Sequence, residues 1–262
     1  METVGSMIEK WSVPYPAYTG EEERNIYVYV PDAIEEDDEA RFPVLYMFDG
    51  HNVFFDEDAT YGKCWGMKEY LDGTQTPLMV VAVECNHNPQ NGRLSEYAPF
   101  SFTAPKLGKV VGRGRDTMEW IVRTLKPLID ERYPTLPGRK STFIAGSSMG
   151  GLMSLYAISA YNAVFSRAAA LSPSIWFASR SLDELLRTAK LRRGTVIYMD
   201  YGSREMGNHS NMQKRFGAVT RLLLERGVQL TSRIVPGGTH CEASWEKQIP
   251  FFLNTLLYDW QP

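Results

Sequence analysis

The stretch "FIAGSSMGGLMSLYA", Phe143 to Ala157, places two adjacent serines and three glycines between two apolar runs. Residues 146–150 fit the pattern G-x-S-x-G, which is typical of a sharp turn from a strand into a helix with the serine at its tip. Only very small residues fit two positions before and two after that serine. Ser148 has a glycine at both positions, whereas Ser147 would have an alanine and a methionine. We therefore predict Ser148 as a nucleophile.

The segments around this turn predict its structural context. Several apolar runs are continuous rather than alternating, which is typical of parallel strands buried on both faces. These runs are "PVLYMFDG" (43–50), "PLMVVAVE" (77–84), "STFIAG" (141–146), "RAAALSP" (167–173) and "GTVIYMDYG" (194–202). Helical patterns alternate with them, among them a segment interrupted by Pro127 and a final helix over 242–260. Strands that alternate with helices predict an α/β fold with a mostly parallel central sheet and helices on both faces.

The N-terminal part of the sequence predicts antiparallel rather than parallel strand pairing. "NIYVYV" (25–30) reads as a strand, and the acidic segment "EEDDEA" (35–40) after it reads as a hairpin connection, so we predict an antiparallel hairpin at the N-terminus. We predict a single domain over residues 1–262. Its widest irregular segment, 85–115, should lie as a loop over the active site, beyond the carboxyl end of its strand.

Composition and charge exclude several classes of function. The 262 residues are 44% hydrophobic and carry a net charge of −3, which argues against a nucleic-acid or anionic-membrane partner. No apolar run reaches the roughly 18–20 residues of a membrane span, and the N-terminus lacks a secretory signal pattern. The cysteines show no CxxC and no Cys/His metal spacing, and lie at Cys64, Cys85 and Cys241. We therefore expect a soluble cytoplasmic protein without metal or cofactor, acting on a small molecule; a homo-oligomer stays open.

A serine hydroxyl becomes a good nucleophile only when a base takes its proton and a third group orients that base. In this strand–turn–helix arrangement the acid and then the histidine follow the serine in the chain. Two of the four histidines, His51 and His87, precede Ser148, and His209 follows the strand that should carry the acid. His240 lies in a glycine-rich loop between the last strand and the last helix. His240 is therefore the predicted base.

Two carboxylates compete for the third position. Asp200 lies within the strand "TVIYMDYG", whereas Glu205 lies in the loop after it. A loop residue can reach a histidine above the sheet edge, while a strand residue points into a packed face. We favour Glu205 as the acid and expect Asp200 to be a structural residue that binds loop amides.

The oxyanion of an acyl-transfer reaction needs two converging backbone amides. One should be that of Met149, at the start of the helix after the nucleophile. The other should come from the loop "GHNVFF" after the strand "VLYMFD", and we assign it to His51. The imidazole of His51 needs no chemical role for this.

Aromatic and charged residues in loops are the candidates for substrate binding. Trp176 follows a strand directly in "LSPSIWF" and is the best single candidate. The other candidates are Trp65, Arg93 and His209. Such aromatic rings could stack on a planar acyl group or a sugar. The alternative is that they anchor the core or loops, and that Arg93 pairs with Glu96 to brace its loop.

Taken together, several stretches resemble a known family. They are "YMFDGHNVFFD", "YGKCWGMKEYLD", "RLSEYAPF", "GSSMGGLMSLYA", "LSPSIWF", "YGSRE" and "GGTHCEASWEKQIPFFL". The chain from about Ile26 to Leu257 resembles the "putative esterase" branch of the α/β-hydrolase superfamily, which includes feruloyl and acetyl-xylan esterases, esterase D-type S-formylglutathione hydrolases and enterochelin esterases. The resemblance implies Ser148 as nucleophile, Glu205 as acid and His240 as base. It also implies the amides of His51 and Met149 as the oxyanion hole.

The leading hypothesis is a serine carboxylesterase that forms an acyl-enzyme on Ser148 and acts on small or aromatic acyl esters, sugar esters included. An acyltransferase with an alcohol acceptor, or a thioesterase of the S-formylglutathione hydrolase type, would use the same residues. A catalytically silent ligand-binding protein should show a broken triad, and none is visible in the sequence. A metal-dependent hydrolase is disfavoured because no HExxH or H-x-H signature is present.

Overall fold

The computed structural model describes residues 6–17, 20–32, 39–104 and 108–261. Its centre is an eight-stranded sheet with the order β1-β2-β4-β3-β7-β8-β9-β10. The strands of this sheet are β1 (Met7–Ala17), β2 (Gly20–Val30), β3 (Val44–Phe48), β4 (Met79–Val83), β7 (Thr142–Ser147), β8 (Arg167–Leu171), β9 (Val196–Gly202) and β10 (Gln229–Val235). A separate antiparallel pair consists of β5 (Phe102–Ala104) and β6 (Gly108–Val110).

Six neighbouring strands of this sheet are parallel to one another: β4, β3, β7, β8, β9 and β10. In contrast, β1 pairs antiparallel with β2, and β2 pairs antiparallel with β4. After β3 the chain continues to β4 on one side, while β7 lies on the other side of β3. The connections that leave β3 and β7 therefore diverge at the carboxyl edge of the sheet. An open α/β sheet binds its ligands in the crevice at such a point.

The α-helices connect and cover the strands. They are α1 (Met67–Thr74), α2 (Gly92–Glu96), α3 (Gly114–Trp120), α4 (Lys126–Arg132), α5 (Met149–Ala160), α6 (Ser179–Thr188), α7 (Met212–Glu225), α8 (Glu242–Glu246) and α9 (Ile249–Leu257). A π-helical segment, Ile121–Leu125, joins α3 to α4, and short 3₁₀ helices occupy Gly50–Asn52 and Arg139–Ser141. The π-helical segment ends two residues before Pro127, so the expected disturbance of this helix is a change of winding.

Side chains from both faces of the sheet are buried. In β3, Tyr46 and Phe48 belong to one hydrophobic cluster, while Leu45 and Met47 belong to the cluster on the opposite face. Alternate residues of one strand point to opposite faces, so a strand covered on both faces needs the continuous apolar run seen in the sequence. The predicted α/β fold with a mostly parallel sheet is confirmed. Among the described residues, no helix combines the length and the apolar character needed to cross a bilayer.

The N-terminal antiparallel hairpin is present, but at a different place from the one expected. It joins β1 to β2, and its register pairs Met7 with Val30 and Ala17 with Gly20. The acidic segment 35–40 does not connect a hairpin, because the strands on its two sides, β2 and β3, are separated in the sheet by β4. Residues 33–38 of that connection lie outside the described residues. The sequence interpretation missed β1, whose prolines and charged residues hide its alternation.

Three further segments differ from the sequence interpretation. The segment 85–115 contains α2 and the β5–β6 pair rather than being a plain loop. Helix α6, at Ser179–Thr188, was not predicted. The expected final helix over 242–260 is two helices, because Pro250 stands in the first turn of α9 and cannot continue the hydrogen bonds of α8.

Candidate active site

Ser148 occupies a strained turn between β7 and α5. Its backbone angles are φ 57° and ψ −119°, in a region that residues with a side chain rarely adopt. The flanking glycines are needed for space. A Cβ atom at Gly146 would lie 2.7 Å from the backbone carbon of Gly150, and one at Gly150 would lie 2.9 Å from Cβ of Phe48. These contacts give the physical reason for the G-x-S-x-G pattern.

The two residues predicted as base and acid are in direct contact. Nδ1 of His240 lies 2.6 Å from Oε2 of Glu205, although 35 residues separate them in the chain. The Glu205 side chain is buried, whereas that of His240 is about 38% exposed. The second carboxylate oxygen of Glu205 accepts hydrogen bonds from the Ser172 hydroxyl at 2.7 Å and the Gly202 amide at 3.1 Å. The carboxylate is therefore fixed, and the histidine ring faces open space.

Asp200 lies within β9 and is buried. Its Oδ1 accepts a hydrogen bond from the backbone amide of Ser172 at 3.1 Å, and its Oδ2 accepts one from the hydroxyl of Tyr198 at 2.7 Å. Burial raises the pKa of Asp200 to about 6, although hydrogen bonds from Tyr198 and Ser172 oppose the shift. The structure thus places Glu205, and not Asp200, against His240.

A cavity of about 440 Å³ opens beside these residues. Ser148 and His240 both line it, and most of the other lining side chains are polar or charged. They are Asp49, His51, Asn52, Thr60, Tyr61, Asn86, His87, Asn88, Arg93, Ser147 and Glu242, with Cys85 and Trp245 as less polar members. Volume and shape fit a small-molecule site. Burial raises the pKa of the Glu242 carboxyl on this wall.

The hydroxyl of Ser148 lies 3.5 Å from that of Ser174, at the limit of a hydrogen bond. The backbone of Ser148 is held on both sides, since its amide donates to the carbonyl of Leu171 at 2.9 Å and its carbonyl accepts from the amide of Ser174 at 2.9 Å. The segment after β8 therefore braces the turn at Ser148.

The two amides predicted for the oxyanion hole lie at helix starts. Met149 is the first residue of α5, and His51 lies in the 3₁₀ helix Gly50–Asn52. Amides in a first helical turn have no partner within the helix and remain free to bind an anion. The turn before His51 begins at Asp49, which has a left-handed φ of 60°. Burial lowers the pKa of the His51 imidazole, so this ring is neutral at pH 7.

Asp49 and Arg93 fix the loop that carries His51. Arg93 donates from Nε and Nη2 to the two carboxylate oxygens of Asp49, each at 2.6 Å. Burial opposes ionisation of Asp49, but the Arg93 guanidinium outweighs it and holds the pKa of that carboxyl below its usual value. The alternative pairing of Arg93 with Glu96 is wrong, because Glu96 binds Arg24 at 2.7 Å.

Comparison with known proteins shows which family the chain belongs to. The family model described as "Putative esterase" matches residues 18–255. The chain belongs to this esterase family. In Bacillus subtilis (strain 168), the "Uncharacterized protein YbbA" is 26% identical over 243 residues, which cover 89% of this chain and 91% of that protein.

Solved structures show the same fold. A ferulic acid esterase superposes with a TM-score of 0.69 at 16% identity and covers 98% of this chain and 99% of its own. An IroE-like serine hydrolase from Shewanella oneidensis superposes with a TM-score of 0.72 at 19% identity, over 96% of this chain and 80% of its own. The family that the sequence resembles is thereby confirmed, and with it the reaction class, hydrolysis of carboxylic esters.

In this esterase, the aromatic candidates for substrate binding occupy different places. Trp176 is 37% exposed, and its ring stacks at 3.8 Å on both Phe177 and His209. Two rings at that distance cannot share one face, so Phe177 and His209 cover both faces of the indole and leave only its edge. Burial, together with the neighbouring His240, lowers the pKa of His209.

The other two candidates for substrate binding, Trp65 and Arg93, also lie in different environments. Trp65 is 3% exposed and packs against Trp245 and Phe252 in the core, so it does not reach the cavity. Arg93 does line the cavity, where it is already paired with Asp49. Of the four predicted substrate-binding residues, only Arg93 is thus a wall residue of this cavity.

Sequence reasoning missed the residues that hold Glu205 in place. Ser172 donates to Glu205, accepts from the indole N–H of Trp245 at 3.1 Å and adopts a left-handed φ of 41°. The pattern "LSPS" directly after a buried strand was a usable signal, since a small polar residue there faces the carboxyl edge of the sheet. Trp245 also contacts the His240 ring edge-to-face at 5.0 Å.

Proposed function

We propose that this esterase is a serine carboxylesterase with Ser148 as nucleophile, His240 as general base and Glu205 as the acid that orients it. The observation that carries the proposal is the 2.6 Å contact between Nδ1 of His240 and Glu205 on a cavity that also contains Ser148. A carboxylate at Nδ1 keeps the proton on that nitrogen, which leaves the lone pair of Nε2 as the base.

In the first half-reaction Nε2 of His240 takes the proton of the Ser148 hydroxyl as Oγ attacks the acyl carbon. The negative charge that develops on the carbonyl oxygen is received by the backbone amides of Met149 and His51. Glu205 stabilises the imidazolium formed at this stage. When the intermediate collapses, His240 returns the proton to the leaving alcohol, and the acyl group stays bound to Ser148 as an ester.

In the second half-reaction a water molecule takes the place of the alcohol. His240 removes a proton from this water, which attacks the acyl-enzyme, and the proton then returns to Ser148 as the carboxylic acid leaves. The His240 side chain lines the cavity and is about 38% exposed, so water has access to the base.

The cavity supports a preference for compact and polar substrates. Its volume of about 440 Å³ accommodates a small acyl group with a sugar-sized alcohol or a single aromatic ring. Amide, hydroxyl and imidazole groups on its wall can bind hydroxyl groups of a substrate, and they include Asn52, Thr60, Asn86, His87 and Asn88. A long alkyl chain would leave these groups without hydrogen-bond partners, which is unfavourable. Short acyl esters are therefore the expected substrates.

The test compares two adjacent serines. Ser148→Ala should reduce hydrolysis of p-nitrophenyl acetate to the uncatalysed rate, and Ser147→Ala is the matched control because Ser147 lines the same cavity. Mass spectrometry of rapidly quenched enzyme should show one added acyl group on wild type and none on Ser148→Ala. A folded Ser148→Ala variant with unchanged turnover would overturn the proposal.

A substrate panel separates the reactions that share this mechanism. Wild-type enzyme is assayed with p-nitrophenyl esters of increasing acyl length, acetylated sugars, feruloyl esters and S-formylglutathione. We expect the highest kcat/KM for short oxygen esters. Each reaction is repeated with added alcohol acceptors, and free acid should remain the main product. A dominant transfer product would instead identify an acyltransferase.

A further inference from the structure

Three metal-ligating side chains come together at the wall of the cavity. His51 follows β3, while Cys85 and His87 follow β4, and these two strands are parallel neighbours in the sheet. One ring nitrogen of each histidine and the Cys85 sulfur all lie within 4.8 Å of one another. The sequence interpretation found no metal spacing, because His51 is contributed from a separate loop.

One ring nitrogen of His51 has no hydrogen-bond partner among the residues that the structure describes. His51 is only 5% exposed, and the nitrogen in question is its buried Nδ1. A buried polar atom left in this state costs free energy, so its retention needs a reason. The other nitrogen, Nε2, lies 3.0 Å from the Thr60 hydroxyl. If Nε2 carries the proton and donates it to Thr60, the lone pair is at Nδ1.

His87 also has one ring nitrogen in a hydrogen bond, although its side chain is exposed. Its Nε2 lies 2.9 Å from Oε1 of Glu84, which leaves Nδ1 as the free ring nitrogen. A metal-binding histidine typically donates its second N–H to a carboxylate or another acceptor, which fixes the ring and makes the free nitrogen a better ligand. Both histidines of the cluster therefore have the outer hydrogen bond expected of metal ligands.

We propose that His51, Cys85 and His87 form a binding site for a single zinc-class divalent cation. Two imidazoles and one thiolate are the ligands that Zn²⁺ prefers, and a fourth position faces the cavity for water. Binding replaces the thiol proton of Cys85 by the metal, and that proton passes to solvent.

The distances require a modest adjustment on binding. Ligand atoms around a tetrahedral Zn²⁺ lie about 3.3–3.6 Å apart, given metal–nitrogen and metal–sulfur lengths near 2.0 and 2.3 Å. The observed separation of up to 4.8 Å must therefore shorten. His51 and Cys85 are buried, whereas the His87 side chain is 57% exposed and can turn toward the other two. His87 is consequently the ligand that moves.

Cobalt absorption tests the site without reference to catalysis. Wild-type protein, freed of metal by a chelator and kept in a non-thiol reductant, is titrated with Co²⁺. We expect one equivalent to bind and to produce a thiolate-to-cobalt charge-transfer band that Zn²⁺ abolishes. His87→Ala, at an exposed position, should lower the affinity at least tenfold, and Cys85→Ser should remove the charge-transfer band.

The controls separate this cluster from other soft ligands. His209→Ala and Cys241→Ser remove a histidine and a cysteine that lie outside the cluster, and Cys241 is adjacent to His240. Both variants should bind Co²⁺ as wild type does. A charge-transfer band that survives in Cys85→Ser, or an affinity unchanged in His87→Ala with both variants folded, would overturn the site.

Bound metal should also inhibit ester hydrolysis, a consequence that rests on the proposed function, because it would occupy the cavity that contains Ser148. Each variant's rate with Zn²⁺ is divided by its own rate in the presence of chelator. Wild type should be inhibited at concentrations that saturate the Co²⁺-competition assay, and His87→Ala should need at least tenfold more Zn²⁺. Equal inhibition of both would contradict this consequence, while the absorption assay and the Ser148→Ala assay each remain decisive for their own claim.

Discussion

The hydroxyl of Ser172 donates to Oε1 of Glu205 across 2.7 Å, while Oε2 of the same carboxylate contacts Nδ1 of His240 at 2.6 Å. Ser172 thus fixes the rotation of the carboxylate that orients the proposed base. The indole N–H of Trp245, which donates to the Ser172 hydroxyl at 3.1 Å, directs the serine proton toward Glu205. Glu205 is thus held by a chain of hydrogen bonds that begins at Trp245.

Replacing Ser172 by alanine should lower kcat roughly 10- to 100-fold, the equivalent of one hydrogen bond to a charged group, with little change in KM. Ser159→Ala is the matched control, since Ser159 is also buried but its hydroxyl has no hydrogen-bond partner in the described part of the chain. Both variants are measured with p-nitrophenyl acetate. Losses that are equal in the two variants, or a change confined to KM, would show that Ser172 has no positioning role.

Glu205→Gln should lower kcat about 10²- to 10⁴-fold, because an amide at this position no longer stabilises the imidazolium of His240. Asp200→Asn should cost far less, since the Asp200 side chain bonds to Tyr198 and to the Ser172 amide and not to His240. The two variants are compared at equal folded concentration, checked by circular dichroism. The opposite order of the losses would reassign the acid to Asp200.

Asp200 should also contribute a pH-dependent term to stability. Burial raises the pKa of this carboxyl to about 6 in the folded protein, against 3.8 for an ordinary aspartate. Folded protein therefore binds more protons than the unfolded chain between these values, and the contribution of Asp200 to the free energy of unfolding falls as the pH rises through this window. The side-chain amide introduced by Asp200→Asn does not titrate.

The free energy of unfolding of Asp200→Asn, relative to wild type, should accordingly rise between pH 4 and pH 7 by up to about 3 kcal/mol. Denaturant titrations of both proteins at several pH values measure this difference. A difference that is constant across the range would show that the carboxyl ionises in the folded state as it does in the unfolded chain.

At position 148, glycine should give a more stable protein than alanine, which is the reverse of the usual order. Glycine normally destabilises a folded protein relative to alanine, because it gives the unfolded chain more conformational freedom. At φ 57° and ψ −119°, however, a Cβ atom is strained. Ser148→Gly should therefore be more stable than Ser148→Ala by about 1 kcal/mol, while neither variant is active. Thermal melts of the two inactive proteins decide, and a more stable alanine variant would exclude strain at this turn.

Alanine substitutions of the two tryptophans proposed for substrate binding should lower the free energy of unfolding by different amounts. Trp65→Ala should cost about 3–5 kcal/mol, because a 3% exposed ring leaves a cavity between Trp245 and Phe252. Trp176→Ala should cost less than about 1.5 kcal/mol, since it removes stacking at the surface. Denaturant titration measures both, and similar losses would contradict the difference in burial.

Local chemistry explains which features of the fold were predictable. Continuous apolar runs identified five of the six parallel strands, because a strand covered on both faces has no polar side chains to alternate; the sixth, β10, lies at the sheet edge and is partly exposed. The hairpin was misplaced, because the neighbour of β2 in the sheet, β4, lies some fifty residues further along the chain. No local pattern encodes such a pairing. The break between α8 and α9 was missed although Pro250 was visible, since the apolar pattern continues across it.

The features of the site also fall into those that the sequence determined and those that only the tertiary structure decided. The sequence by itself determined the tight turn at Ser148, because a serine at φ 57° between β7 and α5 demands glycines at fixed spacing, and it supplied the candidates Glu205 and His240 through their order in the chain. Only the tertiary structure decided that Glu205 rather than Asp200 contacts His240, and that Trp65 belongs to the core. It also brought His51 beside Cys85 and His87. Each of these relationships joins separate strand ends, and distances between strand ends are set by the pairing of the sheet rather than by neighbouring residues.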